Sequence, residues 1–269
     1  MPHSLRYAVN CSMLFTEFPL LERAAAATSA GFDGVEFWWP FAVAVPPDDE
    51  VDAFVTSIAD AGAHLVGLNF FAGDMGGGDR GLVSWPGRDS EFLDSVDVAI
   101  GIAAHLDCRA FNALYGNRVD GFSAQQQDEL AIENLSAAGT AVAAAGGTVL
   151  IESVSGAPRY PLLTAADALG TIDRVADRTG VRNLGFLADL YHLAVNGDDL
   201  DTIVHNDAQR IAHVQIADSP GRHEPGTGLL PLQRHLDALE AGGYRGWVGL
   251  EYTPTTDSMS SFDWVRQHR

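Results

Sequence analysis

The sequence predicts an α/β fold, a single-domain (β/α)8 TIM barrel over 1–269. Short apolar runs alternate with helix-like stretches from end to end, the 269-residue length suits one such barrel, and several runs close on a polar side chain. No Pro/Ser linker or low-complexity block marks a second domain. RYAVN predicts a strand over Arg6–Asn10, and Leu20–Ala30 a helix whose Ala24–Ala27 patch is a face able to pack closely on a barrel. GVEFW predicts a strand over Gly34–Trp38, Asp48–Ala61 a helix, HLVGLN a strand over His64–Asn69, and Ser90–Leu106 a third helix. A strand over Ala110–Leu114 precedes a helix over Ser123–Ala145, which Ser123 can cap and a GG pair follows. TVLIE gives Thr148–Glu152, Thr164 can cap a helix over Ala165–Arg178, and Leu184–Asp189, Ala212–Ile216 and Trp247–Glu251 complete the eight strands a closed barrel needs. Three long connections, Phe70–Gly87, Ser153–Leu163 and Ala217–Gly228, all follow strands, on the side where barrels build their sites. The first contains GDMGGGDRG and reads either as a lid or as a plain surface loop.

A formal net charge of −20 gives a surface that repels polyanions, so a small molecule is expected as partner, not nucleic acid or an anionic membrane. All 16 basic side chains are arginine. Without lysine there is no Schiff-base aldolase chemistry, no covalently held pyridoxal phosphate and no Walker-type phosphate loop. Cys11 and Cys108 have no metal-binding spacing and sit in apolar surroundings, as core residues in a reducing compartment do. The start MPHSLRYAVN lacks the features of a signal peptide and no segment is apolar enough to span a membrane, so a soluble cytoplasmic protein is expected. The sequence leaves the oligomeric state open, a homo-oligomer included.

The chemistry is read from strand ends. Glu152, Asp189, Gln215 and Glu251 stand at the ends of the runs TVLIE, NLGFLAD, AHVQI and GWVGLE. At any one position a buried carboxylate held by backbone amides or an arginine is the alternative, but four at intervals of about one βα unit point to a shared pocket. Their oxygen-rich set suits a hard divalent cation such as Mg²⁺ or Mn²⁺. Two glutamates facing across a barrel mouth also supply the base and the acid of an enediol isomerisation, with the metal holding the substrate oxygens. A ligated carboxylate is a weaker base, so either each glutamate binds through one oxygen and works with the other, or the metal is partly dispensable. Arg222 and His223, in RHEP after the seventh strand, offer positive charge for an anionic substrate, with Arg222 the candidate carboxylate clamp and a structural Arg222–Glu224 pair the alternative. His192, three residues after Asp189, can bond a substrate oxygen or orient a ligand, or be structural. His213 lies on the same strand face as Gln215, either behind it or filling the core. Glu36, in GVEFWW, matches the four in placement and is a weaker substrate-side candidate.

The chain resembles the hydroxypyruvate isomerase family, within the xylose isomerase-like TIM barrels, over nearly its whole length. The stretches that carry the likeness are NCSMLFTEFPLLERAAAATSAGFDGVEFWWP, the AGD…GLVSWPGRD loop, LIESV, AHVQIADSPGRHEP and YRGWVGLEYTP. The resemblance implies reversible conversion of hydroxypyruvate to tartronate semialdehyde in glyoxylate metabolism. It also implies Glu152 and Glu251 as catalytic residues and a divalent ion held by those two with Asp189 and Gln215. In the similar ketose 3-epimerases the strand-seven ligand is typically histidine, so Gln215 favours the isomerase branch. DLYHLAVNG and LIESVSG depart from the family's more usual DxFHxQ-type and VEAL-type stretches, which bears on substrate identity. The alternatives are a 2-oxo-tetronate isomerase, a ketose epimerase or an inosose dehydratase. An endonuclease IV-type barrel fits badly for want of a histidine-rich zinc cluster and a basic face, and a non-catalytic sugar-acid binder is the remaining class.

Overall fold

Eight strands pair in parallel, in chain order, and close on themselves in the computed structural model, which describes residues 3–267. They are β1 (Arg6–Asn10), β2 (Gly34–Phe37), β3 (His64–Asn69), β4 (Ala110–Asn112), β5 (Thr148–Glu152), β6 (Leu184–Asp189), β7 (Ile211–Ile216) and β8 (Trp247–Leu250). The domain expected over 1–269 therefore extends past the described residues at both ends. β2, β4 and β8 stop short of their predicted ends because the chain is already turning outward. Trp38 N bonds the Ser12 hydroxyl instead of a neighbouring strand, while Ala113 and Glu251 each keep one backbone bond, to Leu150 O and Ile216 O.

The helices are α1 (Arg23–Ser29), α2 (Asp48–Asp60), α3 (Asp89–Leu106), α4 (Ala124–Ala144), α5 (Ala165–Thr179), α6 (Leu190–Val195), α7 (Leu200–Asn206), α8 (Leu232–Ala241) and α9 (Asp263–Gln267). Ser123 and Thr164 cap α4 and α5 as read from sequence, each in a reciprocal box with Gln126 or Asp167. The helix expected over Leu20–Ala30 is instead a 3₁₀ turn, Leu20–Glu22, running into α1; none of those three side chains is buried, so no packing holds a full α-turn there. No described helix is long and apolar enough to cross a membrane.

Side-chain alternation decides what each strand gives to the mouth of the barrel. Val149 and Ile151 of β5, Phe186 and Ala188 of β6, and Val214 and Ile216 of β7 belong to the buried apolar cluster, while Glu152, Asp189 and Gln215 take the other face. The strands end on a buried polar crown: Asn10, Glu36, Asn69, Asn112, Glu152, Asp189, Gln215 and, one residue past β8, Glu251. Below it the bore is narrow. A Cβ on Gly249 would come within 2.5 Å of Glu36 Oε1, so this glycine is what admits the Glu36 carboxylate to the axis.

Candidate active site

Glu152, Asp189, His192 and Glu251, all buried, each offer one ligand-type atom, and these atoms lie within 4.8 Å of one another. Three buried carboxylates this close repel one another and have lost their water, so none behaves as a free acid. Burial, then Glu251 and Asp189, push the Glu152 carboxyl well above the usual range. Burial raises Glu251 to about 7 against the lowering effect of Arg222. Asp189 is raised by burial, opposed by Arg222 and by the backbone N–H groups of His192 and Tyr191.

Each acid is held differently. Glu152 Oε2 accepts from Asn112 Nδ2 at 2.7 Å, which leaves Oε1 facing the cluster. Asp189 Oδ1 caps α6 by accepting from Tyr191 N at 2.8 Å and His192 N at 3.1 Å, and its Oδ2 is buried with no hydrogen-bond partner. Glu251 is the most tightly fixed: Oε1 accepts from Trp38 Nε1 at 2.5 Å and Asn10 Nδ2 at 3.3 Å, and Oε2 pairs with Arg222 Nη2 at 3.0 Å. Arg222 also reaches Asp189 Oδ2 at 3.8 Å and lies over the Tyr191 ring, 5.3 Å from its centroid. Its backbone is left-handed (φ 58°), a conformation costing a non-glycine residue on the order of 1–3 kcal/mol and retained where surroundings over-determine it. Here Arg222 N donates to Asp218 O and Arg222 O accepts from Thr253 N. Burial favours loss of the guanidinium charge, but Glu251, Asp189 and Glu152 outweigh it and raise its pKa.

His192 is buried and neutral: burial first, then Arg222, pushes its pKa down to about 3. The Ser155 backbone N–H donates to Nδ1 at 3.1 Å, so Nδ1 is the acceptor nitrogen and Nε2 carries the proton. That N–H faces Asp189 Oδ2 at 3.7 Å and Glu152 Oε1 at 3.9 Å as a donor, so His192 is not a metal ligand in this tautomer although it stands among the acids.

Gln215, the register partner of Asp189 on β7, is oriented from below. Its Nε2 donates to Glu36 Oε1 at 2.7 Å; a carboxylate only accepts, so the amide is fixed with Oε1 on the far side, where it is buried and unpartnered. Glu36 is itself held by His213 Nε2 at 2.7 Å and Asn10 Nδ2 at 3.1 Å. The orphaned Asp189 Oδ2, with Glu152 and Glu251, offers the oxygen donors a hard divalent cation takes, and Gln215 Oε1, on the strand beside Asp189, is orphaned too. Mg²⁺ or Mn²⁺ at about 100 times its dissociation constant should therefore stabilise the fold by about 2.7 kcal/mol, on the order of 5–10 °C in melting temperature. Differential scanning fluorimetry with chelator and then with each ion checks this; identical melting temperatures would remove the ion from the site.

Of the residues singled out in the sequence, Glu152, Asp189, Glu251, His192 and Arg222 converge on this cluster, and Gln215 stands on the neighbouring strand in register with Asp189. Glu36 lies beneath Gln215, its oxygens engaged by protein donors. His223 stands apart from the acids, its Nδ1 on Thr253 O at 2.7 Å. Glu224 pairs with Thr255, and Arg222 with Glu251. Sequence reading missed Asn10, Asn112, Trp38 and Ser155. The two asparagines close their strands just as the carboxylates do, in YAVN and AFN, so the same signal was present without the charge that draws the eye. Trp38, whose Nε1 donates to Glu251, also lines a cavity of about 770 Å³ with Trp39, Phe41, Asn69, Phe71 and Met75 among others.

The xylose isomerase-like TIM barrel family model matches residues 24–268. A Streptomyces coelicolor protein provisionally named hydroxypyruvate isomerase is 51% identical over 97% of this chain and 95% of its own length. The hydroxypyruvate isomerase of Escherichia coli K12 is 34% identical over 98% of this chain and 100% of its own. The 2-oxo-tetronate isomerase of Haemophilus influenzae is 31% identical over 98% and 99%. Among solved structures, one titled AP endonuclease, family 2, from Brucella melitensis superposes over 100% of both chains with a TM-score of 0.88 and 36% identity.

Proposed function

The chain belongs to the xylose isomerase-like TIM barrel family, and within it we propose that the protein is a hydroxypyruvate isomerase, interconverting hydroxypyruvate and tartronate semialdehyde through an enediol. The observation that carries this is the convergence of Glu152 and Glu251 on one buried cluster beside two unpartnered oxygens, in a chain whose relatives bear that name. One glutamate takes a proton from C3 while the C2 oxygen gains one, giving the enediol; the other delivers a proton to C2 as the C3 oxygen loses its own and becomes the aldehyde. Glu152 and Glu251 exchange these roles with direction. The His192 Nε2 proton points into the space between Glu152 and Asp189, placed to donate to a substrate oxygen. A divalent ion, Mg²⁺ or Mn²⁺, would be held by Glu152, Asp189, Gln215 and Glu251. When bound it supplies charge stabilisation for the enediolate oxygens.

The acidic composition supports a small hydroxy or oxo acid as partner in place of nucleic acid, and a cytoplasmic setting in glyoxylate metabolism follows from the same reading. A second reading, isomerisation of a four-carbon 2-oxo acid, is favoured by the cavity beside Trp38, which exceeds the needs of a three-carbon acid. Proton NMR of hydroxypyruvate with the metal-loaded enzyme in D₂O tests the proposal. Deuterium should enter C3 of remaining substrate and C2 of product. Turnover without label at either carbon points to a hydride shift; turnover of the four-carbon acid alone transfers the assignment to the second reading.

A further inference from the structure

Arg222, the obvious clamp for an acid substrate, is already committed: its Nη2 sits 3.0 Å from Glu251 and 3.8 Å from Asp189, so a substrate carboxylate there would compete with two protein carboxylates. We propose that Arg80, on the connection after β3, receives the substrate carboxylate and selects acids over neutral ketoses. The inference rests on the acid-isomerase reading above and adds the residue that makes it specific.

Four features place Arg80 in that role. Its hydrogen-bond partners are neutral backbone carbonyls: Nη1 donates to Met75 O at 3.0 Å and Asp79 O at 2.6 Å, which orients the guanidinium without neutralising it. Asp79 and Glu91 are taken by Arg88, at 3.0 Å and 2.7 Å, Asp74 accepts from Gly77 N, and among the described residues Arg80 forms no ion pair. The loop is pinned over the exit of β4, whose Asn112 holds Glu152. Gly81 N donates to Ala72 O, Ser84 N to Tyr115 O, and Asn117 Nδ2 to Gly78 O. Gly81, at φ 108°, packs so tightly on the Leu114 carbonyl that no other residue fits there. Arg80 itself is half-buried on this pinned connection. An uncompensated guanidinium on a connection packed over the strand end whose Asn112 holds Glu152, in a chain of net charge −20, is where an incoming carboxylate finds its partner.

The test uses metal-loaded wild type, Arg80→Gln and Arg80→Lys with hydroxypyruvate and with dihydroxyacetone, which replaces the carboxylate by a neutral hydroxymethyl group. Thermal protection by tartronate, a non-reacting hydroxy diacid, is measured alongside. Arg80→Gln should raise KM for hydroxypyruvate by on the order of 10²-fold with kcat changed only a few-fold, leave kcat/KM for dihydroxyacetone within about threefold, and abolish tartronate protection. Arg80→Lys should recover part of the KM loss, because charge and not loop shape is at issue. Unchanged KM, or equal losses on both substrates, overturns the role of Arg80. If wild type turns over neither substrate, the isomerase reading fails, and tartronate protection then decides Arg80 alone: protection that needs Arg80 upholds its role as carboxylate receptor, and equal protection in Arg80→Gln refutes it.

Discussion

Glu152→Gln lowers kcat by on the order of 10²-fold or more and leaves the folded protein intact. The amide keeps the shape of the carboxylate and can still accept from Asn112 Nδ2, so the anchor at 2.7 Å survives while the proton-accepting oxygen does not. The substitution also removes one of three mutually repelling buried acids, so the metal-free variant melts no lower than its parent. Glu251→Gln should lose as much activity but is the less clean experiment, because Trp38, Asn10 and Arg222 all donate to that carboxylate and one of them would meet an NH₂ group. Steady-state rates with label incorporation from D₂O check both; near-normal turnover in either variant takes that residue out of the proton route.

The second large effect is on stability. Arg222→Gln removes the cation that faces Glu251 and Asp189 and leaves buried carboxylates uncompensated, a change typically costing about 3–5 kcal/mol. For a chain of this size that is roughly a 6–20 °C lower melting temperature in chelator. Saturating Mn²⁺ should return much of the loss, because an ion among the same oxygens replaces the missing positive charge. Melting curves of parent and variant, with and without the ion, decide the matter; a metal-free variant as stable as its parent would mean the acids are protonated and need no counter-ion.

The fold was legible because strand and helix periods alternate without interruption, and caps such as Ser123 and Thr164 are local chemistry that survives in any context. The acids were legible for a related reason: a charge that closes an apolar run is too costly to bury idly. What sequence could not supply was pairing. That Glu36 lies beneath Gln215 depends on Gly249, 213 residues away, leaving room for it. That Ser155 sets the tautomer of His192 depends on where two connections meet. The first helix was overextended because propensity favoured Leu20–Glu22 while no burial supported it. For Arg222 the sequence offered a substrate clamp or a structural pair with Glu224, the nearest acid in the chain; its ion-pair partner is Glu251, at the next strand's end.

The polar crown has a consequence for inheritance. Every group proposed to move a proton or hold an ion stands at or just past a strand end, while the guanidinium proposed to recognise the acid and many of the aromatic walls beside Trp38 stand on connections. A descendant can therefore exchange its clientele by rewriting two or three excursions of the chain while the reactive ring passes on unaltered.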